Sequence, residues 1–225
     1  MHKLNKKQKK ILEILILFSI AIIALVLWDT FIVFPIKLLV VFLHEASHAT
    51  AAILTGGNIV KMDIGFNLGG RCELTGGNAF IIASFGYLGS FLFGALMFYS
   101  AYSKKYGYAI IIFISVVIIL FAVNVVSNST IQILAVIFAA LLLVSLKYAP
   151  KLFNKYLFLS LGFISCLYVV YDIQEDLLRQ NSGTSDATII ASITGLPEIF
   201  WGFLWLTISI AGLFFLLRMA FQKTK

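Results

Sequence analysis

Charge is the scarcest commodity in this chain. Only 12% of its 225 residues are Asp, Glu, Lys or Arg, against 61% hydrophobic residues and a mean hydropathy of +1.01. A soluble domain cannot cover its surface from that composition, so a soluble globular protein is excluded and a multi-pass integral membrane protein is expected. The formal net charge is +7, yet five of the 17 basic residues are Lys3, Lys6, Lys7, Lys9 and Lys10. Such a run beside an apolar segment sets membrane topology, and no large polar domain exists to carry nucleic acid. Cysteine is nearly absent: Cys72 and Cys166 stand far apart and match no metal or redox spacing. Internal repeats and low-complexity segments are also missing. Histidine is as rare as proline, at three residues, so the placing of two of them carries weight.

Those two are His44 and His48, in the stretch VVFLHEASHATAAIL from Val40 to Leu54, with Glu45 beside the first. On a helix, positions i and i+4 lie on one face a turn apart, so both imidazoles reach one metal ion. Glu45 is one step round, placed to act on a water held there. H-E-x-x-H is the pattern in which two histidines ligate zinc and the glutamate serves as general base. Here it lies within an apolar segment long enough to cross a bilayer. Ionisable groups in such a helix are costly and tend to be functional.

The rest of the chain reads as spans and connections. Residues 11–28 form a first apolar span, expected to remain as an anchor helix because no small-x-small cleavage site follows it. The His span runs from about Pro35 to Leu54, some twenty residues and roughly 30 Å, one bilayer core. Between 55 and 78 lie seven of the 16 glycines (56, 57, 65, 69, 70, 76 and 77). Short alternating runs flank Gly69 and Gly70, which predicts a glycine-turned β-hairpin whose edge can hold an extended peptide. Gly69, Gly70, Gly76 and Gly77 are the candidate substrate-binding positions. Further spans are expected at 79–102, 107–126, 130–148, 153–171 and 197–217. Gly86, Ser90 and Gly94 in the first of these form a small-xxx-small stripe that favours helix packing. Ser185 is placed to cap a short helix from Asp186 to Thr194, stopped by Gly195 and Pro197. The fold class is therefore an all-α membrane protein of about six to seven transmembrane helices with one small hairpin. It forms one embedded domain: residues 1–34 as basic terminus and anchor, 35–219 as core, 220–225 as tail.

With the amino-terminal lysines in the cytosol and seven spans, the hairpin and the acidic stretch after 171 also fall on the cytosolic side. The basic loops near Lys104 and Lys147 then fall on the far side, against the usual bias. In either orientation, the end of the His helix, the hairpin and the acidic stretch share one side.

A catalytic zinc takes three protein ligands and an open position. Residues 172–198 hold five of the ten acidic residues: Asp172, Glu175, Asp176, Asp186 and Glu198. Asp172, at the membrane edge of its span, is the first candidate for the third ligand, with Asp186 and Asp176 as alternatives.

HEASH at 44–48, GGRCELTGG at 69–77, GYLGS at 86–90, YDIQEDL at 171–177 and SDA at 185–187 together resemble the site-2 protease superfamily of intramembrane zinc metallopeptidases, in its compact bacterial and plant branch. The resemblance covers 44 to about 205. It implies one Zn²⁺ per chain on His44 and His48, Glu45 as catalytic base, and cleavage of membrane-protein or peptide substrates within or near a transmembrane segment. It also implies residence in the bilayer of a bacterial cell membrane. One departure stands out: the N-x-x-P-x-x-x-L-D-G motif that supplies the aspartate in better-studied members is absent, and Ile173 rather than glycine follows Asp172. The competing expectations are a non-proteolytic metal-binding membrane protein or a small metal-ion transporter.

Overall fold

The computed structural model describes residues 5–28, 30–66, 69–178 and 185–223. Eight helices and one two-stranded sheet follow in the order α1 (Lys6–Val26), α2 (Phe34–Leu54), β1 (Asn58–Ile64), β2 (Gly70–Thr75), α3 (Ala79–Ser100), α4 (Gly107–Val125), α5 (Ser129–Tyr148), α6 (Lys151–Leu178), α7 (Asp186–Thr194) and α8 (Glu198–Lys223). Among the described residues, six helices are long and apolar enough to cross a membrane: α2, α3, α4, α5, α6 and α8. The chain is an all-α integral membrane protein with one small hairpin, as its composition demands.

Local chemistry sets the element ends. Pro35 occupies the first turn of α2, where its missing N–H has no partner to lose. Asn78 and Asn128 cap α3 and α5 by accepting from Ile81 N–H, and from Thr130 and Ile131 N–H. Ser185 caps α7 through Thr188 N–H, and Gly195 ends it in the left-handed conformation at φ 71°. Both α7 signals are legible in the sequence. The span read as 153–171 belongs to a longer helix, α6, which carries on past the membrane-edge tyrosine. Asp172 and Asp176 therefore share a helical face.

The hairpin pairs Asn58 with Thr75 and Ile64 with Gly70, with an irregularity between Ile59 and Lys61. Met62 and Ile64 turn into the core, while Lys61, Asp63 and Glu73 face outward as a charge ladder. Gly65 N–H donates to Gly69 O (3.0 Å) across the tip. The outer edge of β1 is tied to the α4–α5 connection by Ser127 N–H donating to Met62 O at 2.9 Å. At its base the hairpin is pinned to the end of α2, because Asn78 N–H donates to Thr55 Oγ1 at 3.0 Å.

Contacts along the helices order their ends. α2 and α3 run antiparallel: Thr55 meets Gly77 and Asn78, and Ser47 packs on Gly89. The start of α2 therefore lies about 20 Å from Ser47, toward the end of α3. α1 runs beside α6 in the same direction, with Glu13 on Lys155 at one end and Trp28 stacked on Tyr168 (5.3 Å) further along. Tyr102, just past α3, also donates to Glu13, and Lys10 sits over the Phe221 ring near the end of α8. The starts of α1 and α6 and the ends of α3 and α8 thus gather at one end of the bundle, while α2 begins beside Trp28 and the hairpin tip, where Phe34 stacks on Phe66 at 6.4 Å. The opposite end holds the base of the hairpin, the end of α6, α7 and the start of α8.

This corrects the sequence reading of topology. The lysines of the amino-terminal helix lie with the basic loops, not with the hairpin. The reason is α1 itself: its lysines and Glu13 interrupt the apolar run, so it is not among the six spanning helices. The first turn of α2 lies beside the end of α1, with Lys37 over the Trp28 ring at 4.9 Å. The shared side of the His helix end, hairpin and acidic stretch stands as expected.

Candidate metal centre

α2 carries the site because thirteen of its residues are buried, Glu45 and His48 among them. It packs on α3 closely enough that glycine is required at the crossing. A Cβ built on Gly89 would lie 2.7 Å from Ser47 Cβ, and one on Gly86 would lie 2.5 Å from both His48 Nε2 and Asp186 Oδ2. Ordinary contacts begin near 3.5 Å, so no side chain fits at either position.

His48 and His44 bring their Nε2 atoms to 3.0 Å from one another. Asp186 Oδ2, from the first residue of α7, lies 3.3 Å from each. The far side of each ring is also engaged. His48 Nδ1 is 2.8 Å from the Ile82 carbonyl, which can only accept, so Nδ1 carries the proton and Nε2 presents its lone pair. His44 Nδ1 faces Asp172 Oδ2 at 3.6 Å. Two imidazole Nε2 atoms and a carboxylate oxygen therefore converge on one point, a donor set of the kind that holds a cation.

The spacing fits zinc. Bonds of about 2.0–2.1 Å to a tetrahedral ion place neighbouring ligand atoms about 3.3 Å apart, against 3.0 and 3.3 Å here. Among the described residues, His44, His48 and Asp186 are the group of metal-competent side chains whose donor atoms meet. Burial would raise the Asp186 carboxyl, but the adjoining His48 and His44 outweigh it and hold it down to about 2. It is a carboxylate at neutral pH.

Around this point lies a cavity of about 750 Å³, lined by Glu45, Asp172, Asp176 and Asp186 and by Gly70, Arg71, Cys72 and Leu74 of β2, with Gly76. Glu45 is 5% exposed. Its carboxylate lies against the backbone of Gly70, where any Cβ would overlap it. Cys72 also lines the cavity, and burial, with the Glu45 charge, pushes its thiol up to about 12. Its sulfur is not among the donor atoms that meet at the cluster.

The sequence candidates thus separate. His44, Glu45 and His48 meet at the cavity. Asp186 joins both Nε2 atoms, Asp172 stands behind His44, and Asp176 accepts the hydroxyl proton of Tyr87. Gly70 and Gly76 line the cavity, whereas Gly77 and Gly69 shape the base and tip of the hairpin. Residues not singled out for chemistry also matter: Tyr87 sets its ring edge on His44 at 5.3 Å, and the Ile82 carbonyl holds His48. Gly86 reads in sequence as part of a packing stripe. Gly94 does pack, against Ser165 and Cys166, but Gly86 makes room for the cluster.

No curated protein and no solved structure matches the chain. Residues 17–216, nearly its whole length, match the Peptidase M50B-like family. With buried histidines and a carboxylate meeting in a helical membrane bundle, the chain belongs to the Peptidase M50B-like family, within the site-2 protease group of membrane metallopeptidases.

Proposed function

We propose that the protein is a zinc endopeptidase that cuts peptide bonds within or near transmembrane segments of other proteins. The observation that carries this reading is the convergence of His44 Nε2, His48 Nε2 and Asp186 Oδ2 beside Glu45 in one cavity. His44, His48 and Asp186 would hold one zinc ion, three ligands with a fourth position left open. Bound there, zinc polarises a scissile carbonyl and lowers the pKa of water. Glu45 takes the proton from the attacking water and delivers it to the leaving nitrogen. Asp172 serves from behind, its carboxylate facing His44 Nδ1 at 3.6 Å and favouring the ring orientation that turns Nε2 to the ligand point, a carboxylate–histidine pair of the kind that tunes metal sites.

A substrate helix hides its carbonyls in hydrogen bonds and must unwind before attack. Gly70, Arg71, Cys72 and Leu74 of β2 line the cavity while β1 pairs with β2 and with the α4–α5 connection. The exposed edge of β2, flanked by Gly70 and Gly76, is the surface on which an unwound segment adds as a strand. The bilayer of a bacterial cell membrane is the expected setting.

The test is zinc content and cleavage in one purified preparation. One zinc per chain, with cleavage of a transmembrane reporter peptide that chelator stops and zinc restores, is expected. A folded protein with no bound zinc overturns the reading, and several exchangeable ions without cleavage would favour transport.

A further inference from the structure

The segment of α3 from Ile82 to Tyr87 serves the two histidines through different residues. Ile82 offers its carbonyl to His48 Nδ1 at 2.8 Å, and Gly86, one turn on, leaves the space that His48 and Asp186 occupy. Tyr87 follows, about 100° further round the helix, and meets the other histidine. Its ring stands edge-on to His44 with centroids 5.3 Å apart. On its other flank the ring lies against Trp205 of α8 at 5.0 Å, in a buried cluster with Ala83, Val169, Ile173 and Ile190. A phenylalanine offers the same ring to both neighbours, so packing does not account for the hydroxyl. Burying a hydroxyl is costly unless it is hydrogen-bonded, and this one donates to Asp176 Oδ2.

Asp176 stands one turn beyond Asp172 on α6, and both line the cavity. Asp172 faces His44 Nδ1 at 3.6 Å. The contacts therefore close a circuit through three helices: His44 on α2 to Tyr87 on α3, Tyr87 to Asp176 on α6, and Asp172 on α6 back to His44. Two side-chain torsions decide where His44 Nε2 points, and the groups around the ring hold them. Asp172 engages one nitrogen and Tyr87 one flank, which leaves Nε2 for the ligand point. Asp176 is not among the donor atoms that meet there.

We propose that Tyr87 is a positioning residue for the metal centre. Its ring braces His44, and its hydroxyl, held by Asp176, ties α6 to α3 so that Asp172 stays behind the same imidazole. This role rests on the reading that His44, His48 and Asp186 hold a metal ion.

Tyr87→Phe removes the hydroxyl and keeps the ring. In purified protein loaded with cobalt(II), the visible ligand-field bands report how the imidazoles are set. Tyr87→Phe should shift those bands and weaken zinc binding by roughly tenfold, as loss of other groups behind a ligating histidine does. Asp176→Ala should act in the same direction, and the two changes together should cost less than the sum of the singles. Tyr87→Leu, which also loses the ring, should bind zinc more weakly than Tyr87→Phe. A Tyr87→Phe protein with the wild-type cobalt spectrum and zinc affinity overturns the positioning role. Chelator-stripped protein tests the tie with no metal present. The Tm losses of Tyr87→Phe and Asp176→Ala should again fall short of adding, and full additivity overturns the tie. Neither measurement uses peptide cleavage, so a failed peptidase reading and a failed tie are told apart.

Discussion

Two clusters in this bundle bury charge, and they are built to opposite ends. At the basic end Glu13, 4% exposed, receives Lys155 Nζ at 2.8 Å and the Tyr102 hydroxyl. Every strong group there has its complement, so the cluster is closed and can only hold α1 against α3 and α6. At the other end donor atoms of His44, His48 and Asp186 meet beside a cavity. That cluster is open to a ligand. A polar network closed on itself fixes structure, whereas metal-competent donors that meet beside a cavity mark a candidate binding site.

The sharpest way to break the contrast is to remove a ligand at the open cluster. Asp186→Ala should take bound zinc from about one per chain to near zero, since two histidines alone make a poor zinc site; elemental analysis of the purified variant decides it, and full zinc retention would return Asp172 to first place. Glu45→Gln comes next. It should keep zinc and fold while turnover drops about 10²- to 10⁴-fold, the usual contribution of a general base, read from reporter-peptide cleavage. Asp172→Asn should weaken zinc binding by roughly tenfold, as loss of a carboxylate behind a ligating histidine does, and competition with a chromophoric chelator measures it. The smallest functional effect belongs to the closed cluster. Lys155→Met leaves the buried Glu13 charge with only the Tyr102 hydroxyl, costing about 3 kcal/mol of stability, yet zinc stoichiometry and turnover of the folded fraction should match wild type. If Lys155→Met lost zinc while folded, the two clusters would not be independent.

The site is partly legible in the amino-acid sequence. Two histidines at i, i+4 with an intervening glutamate share a helix face by geometry alone, and the structure puts all three side chains at one cavity. The cap at Ser185 and the stop at Gly195 are equally local, since a side-chain oxygen and a missing Cβ act within three or four residues. The aspartates are not legible. Asp172, Asp176 and Asp186 all lie near one membrane edge, and their linear spacing says nothing about which oxygen meets an imidazole more than 120 positions earlier. That depends on how α7 leans on α3, which Gly86 permits by offering no side chain. Gly86 itself cannot be told from Gly94 in sequence, because small residues look alike whether they admit a helix or a ligand.

Topology follows the same division. The apolar runs by themselves determined that the protein is a membrane bundle and where most helices lie, because the cost of exposing backbone in lipid leaves no other spanning form. The H-E-x-x-H spacing by itself determined the chemistry on offer. Only the tertiary structure decided where α1 lies, beside α6, since that rests on Glu13 meeting Lys155 and Trp28 meeting Tyr168 across the bundle. Only it decided which carboxylate completes the triangle with the two histidines. Periodicity is a property of neighbours along the chain, whereas a ligand set is assembled from α2 and α7, which touch only once the whole bundle has closed around α3.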